Sequence, residues 1–350
     1  MFNIKVLKYA AMAAASVFIL SACSEESNSK SSSETSGESQ EFAFSHFFPS
    51  NSPMETDIVQ GFVTGVKEAT EGEVDITSYP GNQLADPDGH FEAAATGVAD
   101  MGYGVHSYTP GQFPLTSVME LPFLSETSSE GSQMIWDLYE EFPEMQDEYA
   151  DVMPIWLSTS EPAQIYTVGK QVKSPEDLEG MRVRSPSPEV NAWLEELGAV
   201  PVSMPMSDVY EALERGVVDG TVGPTHTLLD YSLKDVIDYV TVGNFYMTTF
   251  YGAMNQSSWD SISEENQEAI GEIKGENMVQ LIGEVHDAQA KKAEQAAKEA
   301  GVEFYEISKE EQEEWERYMQ PAIEAWIEDK ESKRLPGQEI YDRAVELSNE

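Results

Sequence analysis

The folded part of the chain opens on a period-two apolar pattern, Phe42-Ala43-Phe44, followed by His46-Phe47-Phe48-Pro49. Ile58, Phe62 and Val66 then recur at helical spacing between Met54 and Ala69. Val74-Ile76-Ser78-Tyr79 returns to alternation and is closed by Pro80-Gly81. This β-α-β order predicts a parallel sheet with helices on its faces. The same local grammar returns later: Phe91 to Asp100 can be laid over Tyr210 to Asp219, 119 residues on. In both places a helix ends at glycine, a Val-x-Asp or Val-Val-Asp turn follows, and a strand of small residues begins. Such a period is far too long for a solenoid and predicts one α/β unit used once in each of two lobes. Ser263 caps a stripe of Ile270, Ile273, Leu281, Val285 and Ala288 that continues to Ala300. Unbroken, that helix would extend over ~50 Å and span both lobes. A last long helix starts at Ser308, where Glu311 completes a capping box, and carries Trp315, Met319, Ile323 and Trp326 as core positions.

One short stretch places chemistry on this scaffold. Ser174-Pro175-Glu176-Asp177-Leu178 has the cap, the proline and the acids of a helix start, and Gly180 stops it. Met181-Arg182-Val183-Arg184 alternates like a strand, which Ser185-Pro186-Ser187-Pro188 breaks immediately. Arg184 therefore sits at the carboxyl end of a strand, where open α/β sheets bind ligands. Its fork of donors suits a carboxylate. Two alternatives stand beside this reading. Arg184 pairs with one of the chain's many acids, or Arg182, two residues away on the same face, is the ligand group instead.

The beginning of the chain reads as an export signal over residues 1–22: Lys5 and Lys8 precede an apolar run from Tyr9 to Leu20. That run is shorter than the ~20 apolar residues needed to cross a bilayer. Leu20-Ser21-Ala22-Cys23 looks like a lipobox, which makes Cys23 a lipid-attachment site on the outer face of the membrane. An ordinary signal with an incidental cysteine is the alternative. Cys23 is the only cysteine, so the mature chain forms no internal disulfide. Residues 23–40 are Ser- and Glu-rich and predict a disordered tether.

Charge narrows the partners. The formal net charge is −44, with 64 acids against 20 Lys and Arg. Nucleic acid is excluded, because phosphate contacts need a basic surface. The acids read as a solvated surface suited to salt, though a cationic substrate also fits the sign. No Gly-x-Ser-x-Gly, His-Glu-x-x-His or Gly-rich phosphate motif is present, and the five histidines are scattered. The pattern predicts no enzyme, no cofactor and no metal.

Leu178-x-Gly180-Met181-x-Val183-Arg184, then Tyr210-x-Ala212-Leu213-x-x-Gly216-x-Val218-Asp219-Gly220, resembles the solute-binding subunits of TRAP transporters, the tripartite ATP-independent periplasmic systems, in their DctP branch. The likeness runs from about Phe42 to Ala325. It implies an α/β, two-lobed periplasmic-binding-protein-like fold, each lobe a mixed sheet flanked by helices, with a long helix under both. The corresponding boundaries are lobe I over 41–163 plus a return segment at 252–270, lobe II over 164–251, a spanning helix over 263–300 and C-terminal helices over 301–350. It also implies that Arg184, not Arg182, binds a small organic acid in the interlobe cleft, and that the loaded receptor docks on small and large permease subunits in the membrane. An ABC importer's binding lipoprotein or a ligand-presenting sensor would share the anchor and the cleft.

The chain departs from the family in two places. Gly223 stands where many relatives have asparagine, leaving Thr221 or Thr225 as substitutes, and Gln164 stands near the place of a second arginine. One cationic anchor favours a monocarboxylate over a dicarboxylate. Other expected pocket groups are His46 and Phe47 after the first strand, Gln83, Tyr103 and His106, and the aromatics Phe245, Tyr246 and Phe250. Ala253-Met254-Asn255 with Trp259 resembles the family's return strand.

Overall fold

Among the described residues eleven strands sort into two sheets, and the chain passes between them at only a few points. In this computed structural model, which describes residues 39–349, the strands are β1 (Gln40–His46), β2 (Val74–Tyr79), β3 (Met101–Val105), β4 (Val152–Thr159), β5 (Ala163–Thr167), β6 (Arg182–Ser185), β7 (Val200–Ser203), β8 (Gly220–Pro224), β9 (Tyr239–Val242), β10 (Thr249–Asn255) and β11 (Glu303–Glu306). The first sheet has the order β2-β1-β3-β10-β4 and the second β11-β9-β5-β8-β6-β7. In the first, β1 runs parallel to β2 and β3, and β10 is antiparallel to β3 and β4. In the second, β6 runs parallel to β7 and β8, and β5 is antiparallel to β8 and β9. Both sheets are mixed, and the second repeats the plan of the first.

The repeated segment carries the reason. Gly97 and Gly216 both end their helices at positive φ, 74° and 64°, where a side chain would be strained. Asp100 then accepts a hydrogen bond from the Ala43 amide of β1 at 2.8 Å, and Asp219 accepts one from the Arg182 amide of β6 at 2.9 Å. Each aspartate thus ties the start of a sheet-centre strand, β3 or β8, to its parallel neighbour.

The sheets are joined where β4 runs into β5 and where β9 returns into β10. These two crossings bond to each other: Ser160 N to Thr248 O at 2.8 Å, Ala163 N to Tyr246 O at 2.8 Å, and Phe245 N to Ala163 O at 3.0 Å. The return reaches the first sheet at Thr249, three residues before the boundary expected at 252. A helix over Glu276–Ala300 links both halves from outside: Met278, Val279 and Ile282 enter the core of the first sheet, Ala293 and Ala297 that of the second. The Lys309–Ser332 helix does the same, with Trp315 and Met319 in one core and Ile323 and Trp326 in the other. Its Ser308–Glu311 capping box is present.

The continuous 263–300 helix is corrected. It is two helices, Glu264–Gly271 and Glu276–Ala300. Gly275 lies between them at φ 62°, and its amide donates to Ile155 O of β4 at 2.8 Å. Backbone capture by the sheet breaks the apolar stripe, and the spanning piece is only about 37 Å long. The Met54–Ala69 helix begins as a wider π turn over Met54–Val59 and becomes α at Gln60. β1 starts at Gln40, the last residue of the expected 23–40 tether. The expected signal over 1–22, the Cys23 attachment site and most of the 23–40 tether lie outside the described residues. Among the described residues no helix is long and apolar enough to cross a membrane.

Candidate functional site

The four parallel strands nearest the sheet centres, β1 and β3 in one sheet and β6 and β8 in the other, end on a shared cavity. Phe47 and Phe48 follow β1, Tyr108 lies on the turn after β3, Arg184 is on β6, and His226 and Thr227 follow β8. Met206, Tyr231, Thr248 and Phe250 complete most of the wall. Convergence of strand ends is what the α/β architecture offers a ligand. The enclosed space is small, about 30 Å3.

Arg184 is the charged centre of this wall. Its residue is 1% exposed. Nε donates to Met204 O at 2.8 Å and Nη1 to Val222 O at 3.2 Å, while Nη2 is buried and has no protein partner. Two backbone carbonyls fix the guanidinium plane and leave one edge of the fork free. Arg182 is spent elsewhere: Nη2 reaches Asp219 Oδ1 at 2.6 Å and Nε reaches Oδ2 at 3.0 Å on an exposed surface. The two arginines, equivalent by strand geometry, differ in that Arg182 is held by that carboxylate. Among the described residues Arg184 has no ion pair of the kind Arg182 makes.

Aromatic rings surround the charge. Phe47 stacks on Phe250 with centroids 6.2 Å apart at 11°, and packs edge-on to Tyr108 at 6.3 Å. Tyr108 also bridges the halves, since its hydroxyl accepts from the Met206 amide at 2.9 Å. The floor is tied to buried ionisable groups. His226 Nδ1 meets Glu161 Oε1 at 3.0 Å, and His286 Nδ1 meets Glu161 Oε2 at 3.3 Å. Burial alone would raise the Glu161 carboxyl, but the charge of His226 and the bonds to both imidazoles hold it well below the usual range. Burial would lower His226; Glu161 outweighs it and the net shift is upward. His286 is lowered by burial. Glu161, His226 and His286 are the group of described residues whose ligating atoms lie close enough together to hold a metal. Beside the cleft, burial and then Glu189 push Glu120 up to about 8, with neither oxygen partnered.

The expected site residues divide. Arg184, Phe47 and Phe250 line the cavity. Tyr103 and Tyr246 are buried behind it: Tyr103 packs edge-on to Phe250 at 6.1 Å, and burial raises Tyr246 while nearby Arg184 pulls it down. Thr221 is buried beside Arg184 in register but bonds to Val222 O. Gly223 lies behind the wall, where a Cβ would come within 2.8 Å of Met206.

Five expectations are corrected. His46 is not in the wall; it bonds to Glu55 at 2.8 Å and Ser78 at 2.9 Å at the other side of β1. Gln83 is exposed on the surface. Gln164 is a structural clamp whose carbonyl accepts the Gly243 and Asn244 amides, at 2.8 and 3.0 Å, closing the return crossing. Phe245 packs in the second core against Trp193 and Trp315. His106 bonds to Tyr149 at 2.7 Å, away from Arg184. Sequence reasoning missed Tyr108, Met206 and His226, each two or three residues past a strand end, which was the available signal, and Tyr231, which ends the helical turn Thr227–Asp230 after β8. A wider hollow of about 790 Å3 near Glu141 is lined by six carboxylates and two arginines, an excess of negative charge that disfavours an organic acid.

Comparison with known proteins agrees with this architecture. Residues 44–329 match the family described as bacterial extracellular solute-binding protein, family 7, DctP. The outer membrane transporter protein TsaT of Comamonas testosteroni is 28% identical over 297 residues, 83% of this chain and 86% of that protein. A TRAP solute binding protein from Rhodoferax ferrireducens T118, solved with copurified benzoate, superposes with a TM-score of 0.85 at 26% identity, covering 89% of this chain and 98% of that one. A marine metagenome TRAP solute binding protein specific for aromatic acid ligands, solved with 3-hydroxybenzoate, gives 0.85 at 28% identity over 89% and 98%. The chain belongs to the DctP family of TRAP solute-binding proteins.

Proposed function

We propose that this protein is the extracytoplasmic receptor of a TRAP transporter for a small aromatic monocarboxylate, which Arg184 holds between two closing lobes. The observation that carries the reading is the unpartnered Nη2 of a fully buried arginine facing a wall of Phe47, Phe48, Tyr108, Tyr231 and Phe250. A guanidinium already desolvated and fixed by two carbonyls loses little freedom when it takes a carboxylate. Rings on either side suit a flat apolar body. The likeness to proteins solved with benzoate and 3-hydroxybenzoate supports the same chemistry. The glucuronate-bound neighbours, at 19 and 20% identity, share only the fold.

Ligand pockets run to ~300 Å3 or more, so the roughly 30 Å3 here must widen on entry. The crossings at 160–162 and 243–248 are the hinge, and the ligand drives closure because it bonds the closed form better than the open one. The loaded receptor delivers its cargo to the membrane permease and catalyses nothing itself. Acylation of Cys23 would hold it at the outer face of the membrane.

Calorimetry on the purified protein tests the reading with benzoate and 3-hydroxybenzoate against succinate. Micromolar binding of the aromatic acids, about −8 kcal/mol, is expected, with succinate far weaker. Arg184→Ala should cost roughly 2–5 kcal/mol of binding, because the ligand's charge is left buried and unpaired. Unchanged affinity in that variant removes Arg184 from the site.

A further inference from the structure

We propose that Glu161, His226 and His286 form a binding site for a divalent transition-metal ion of the zinc type, set into the junction of the two halves. The three ligands come from separate parts of the chain: Glu161 from the crossing between β4 and β5, His226 from just beyond β8, and His286 from the Glu276–Ala300 helix. Each is buried, at 4%, 4% and 0% exposure. Two imidazoles and a carboxylate are a donor set that zinc takes with one coordination position left over.

The spacing fits. Bonds of ~2.0–2.1 Å in a tetrahedral shell put neighbouring ligand atoms about 3.3 Å apart. Here His226 Nδ1 is 3.1 Å and His286 Nδ1 is 3.3 Å from Glu161 Oε2, and all the ligating atoms lie within 4.8 Å of one another. The shell around them is also built. The His226 amide donates to Glu161 Oε1 at 2.6 Å and fixes the carboxylate's orientation. Phe250 stacks on the His286 ring at 5.6 Å and fixes its plane.

As a proton-sharing network the cluster is poorly satisfied. Both imidazoles must put a hydrogen on Nδ1 to bond Glu161. His286 Nε2 is buried with no partner whether Nδ1 holds a hydrogen or an ion, but Asp230 Oδ2, on the turn of helix after His226, is a buried carboxylate oxygen with none, which a nearby positive charge would compensate. A divalent ion takes a lone pair from each ring and from the carboxylate, releasing the shared protons. Asp230 lies outside the set of ligating atoms within 4.8 Å of one another, and the remaining position is open to a water. His226 also lines the Arg184 cavity, so the ion's charge would reach an organic acid bound there. That consequence rests on the proposed function; the metal site does not.

Cobalt(II) and zinc(II) chlorides are the probes. Purified protein should take up one cobalt per chain and develop the intense visible bands of a tetrahedral ion, lost on adding zinc. His226→Gln and His286→Gln should each weaken zinc retention in equilibrium dialysis by roughly 100-fold or more, while Arg184→Ala keeps it. The proposal is overturned if the wild type retains no stoichiometric zinc, or if its cobalt spectrum is the pale octahedral one of surface carboxylates. Equal retention in both histidine variants overturns it as well. The wild-type spectrum decides even where a variant fails to fold, and organic-acid binding is not part of the readout.

Discussion

A buried arginine is tolerated here because its strand neighbours supply oxygen. Val222 O and Met204 O accept two of its donors, and the edge left over has no protein partner to compete with a ligand. Arg182, two residues earlier, shows the other fate of the same side chain: a bidentate pair with Asp219 at the surface. Other buried polar residues have purely structural consequences. Burial pushes the His106 imidazole down to about 3, against ~6.5 in an unfolded chain. The unfolded state therefore takes a proton below about pH 6.5 that the native state refuses until about pH 3. Stability is lost as pH falls through that window, by about 1.4 kcal/mol per unit from this group. His106→Gln should flatten the acid limb by that slope in urea unfolding measured at pH 6, 5 and 4; an unchanged limb would mean another group dominates.

Elements were legible wherever one face carried a clean period. β1, β2, the helix before β3 and the Ser308-capped helix all follow from alternation, 3.6-residue spacing and cap chemistry. The repeat around Asp100 and Asp219 was legible as a pattern of glycine and acid. Its reason, an aspartate bonded to the parallel strand's amide, needed the neighbour that folding brings. The break at Gly275 was hidden, because Ile270, Ile273 and Leu281 keep helical spacing across it. There the competing interaction is the Ile155 carbonyl, 120 residues away. Gly275→Ala forces a Cβ at φ 62° to within 3.1 Å of Trp136. It should cost ~1–3 kcal/mol of stability, read as a lower urea midpoint with an unchanged slope.

The described residues form two sheets held by paired crossings and by two helices that each reach core residues of both halves. Tyr108 adds a bond from the first half to the second, its hydroxyl accepting from the Met206 amide in the wall of the cavity. Tyr108→Phe keeps the ring and removes that acceptor. Closure should weaken by about 1 kcal/mol, seen as roughly fivefold weaker ligand binding and a larger radius of gyration at subsaturating ligand, with the unfolding midpoint of the free protein unchanged. Charge acts at the same scale. With 64 acids and a net charge of −44, self-repulsion should destabilise the compact state at low ionic strength. Raising sodium chloride from 0.05 to 1 M, where the Debye length shrinks to ~3 Å, should raise the melting temperature. A flat response would show the acids to be already compensated locally.

The sequence by itself determined the alternation of strands and helices, the doubled unit, the family likeness and the strand end bearing Arg184, since each rests on local period, turn chemistry or a contiguous motif. Its local pattern left Arg184 and Arg182 equivalent, separated only by the family likeness, and it could not take His46 and Gln164 out of the pocket or put Tyr108, His226 and Tyr231 into it. Those outcomes depend on partners 9 to 98 residues distant, from Glu55 beside His46 to Met206 on Tyr108: a carboxylate that claims one arginine, two carbonyls that hold the other, and a crossing that needs its glutamine. Only the tertiary structure brings such partners within hydrogen-bonding reach, and the fate of a polar side chain follows from which one reaches it first.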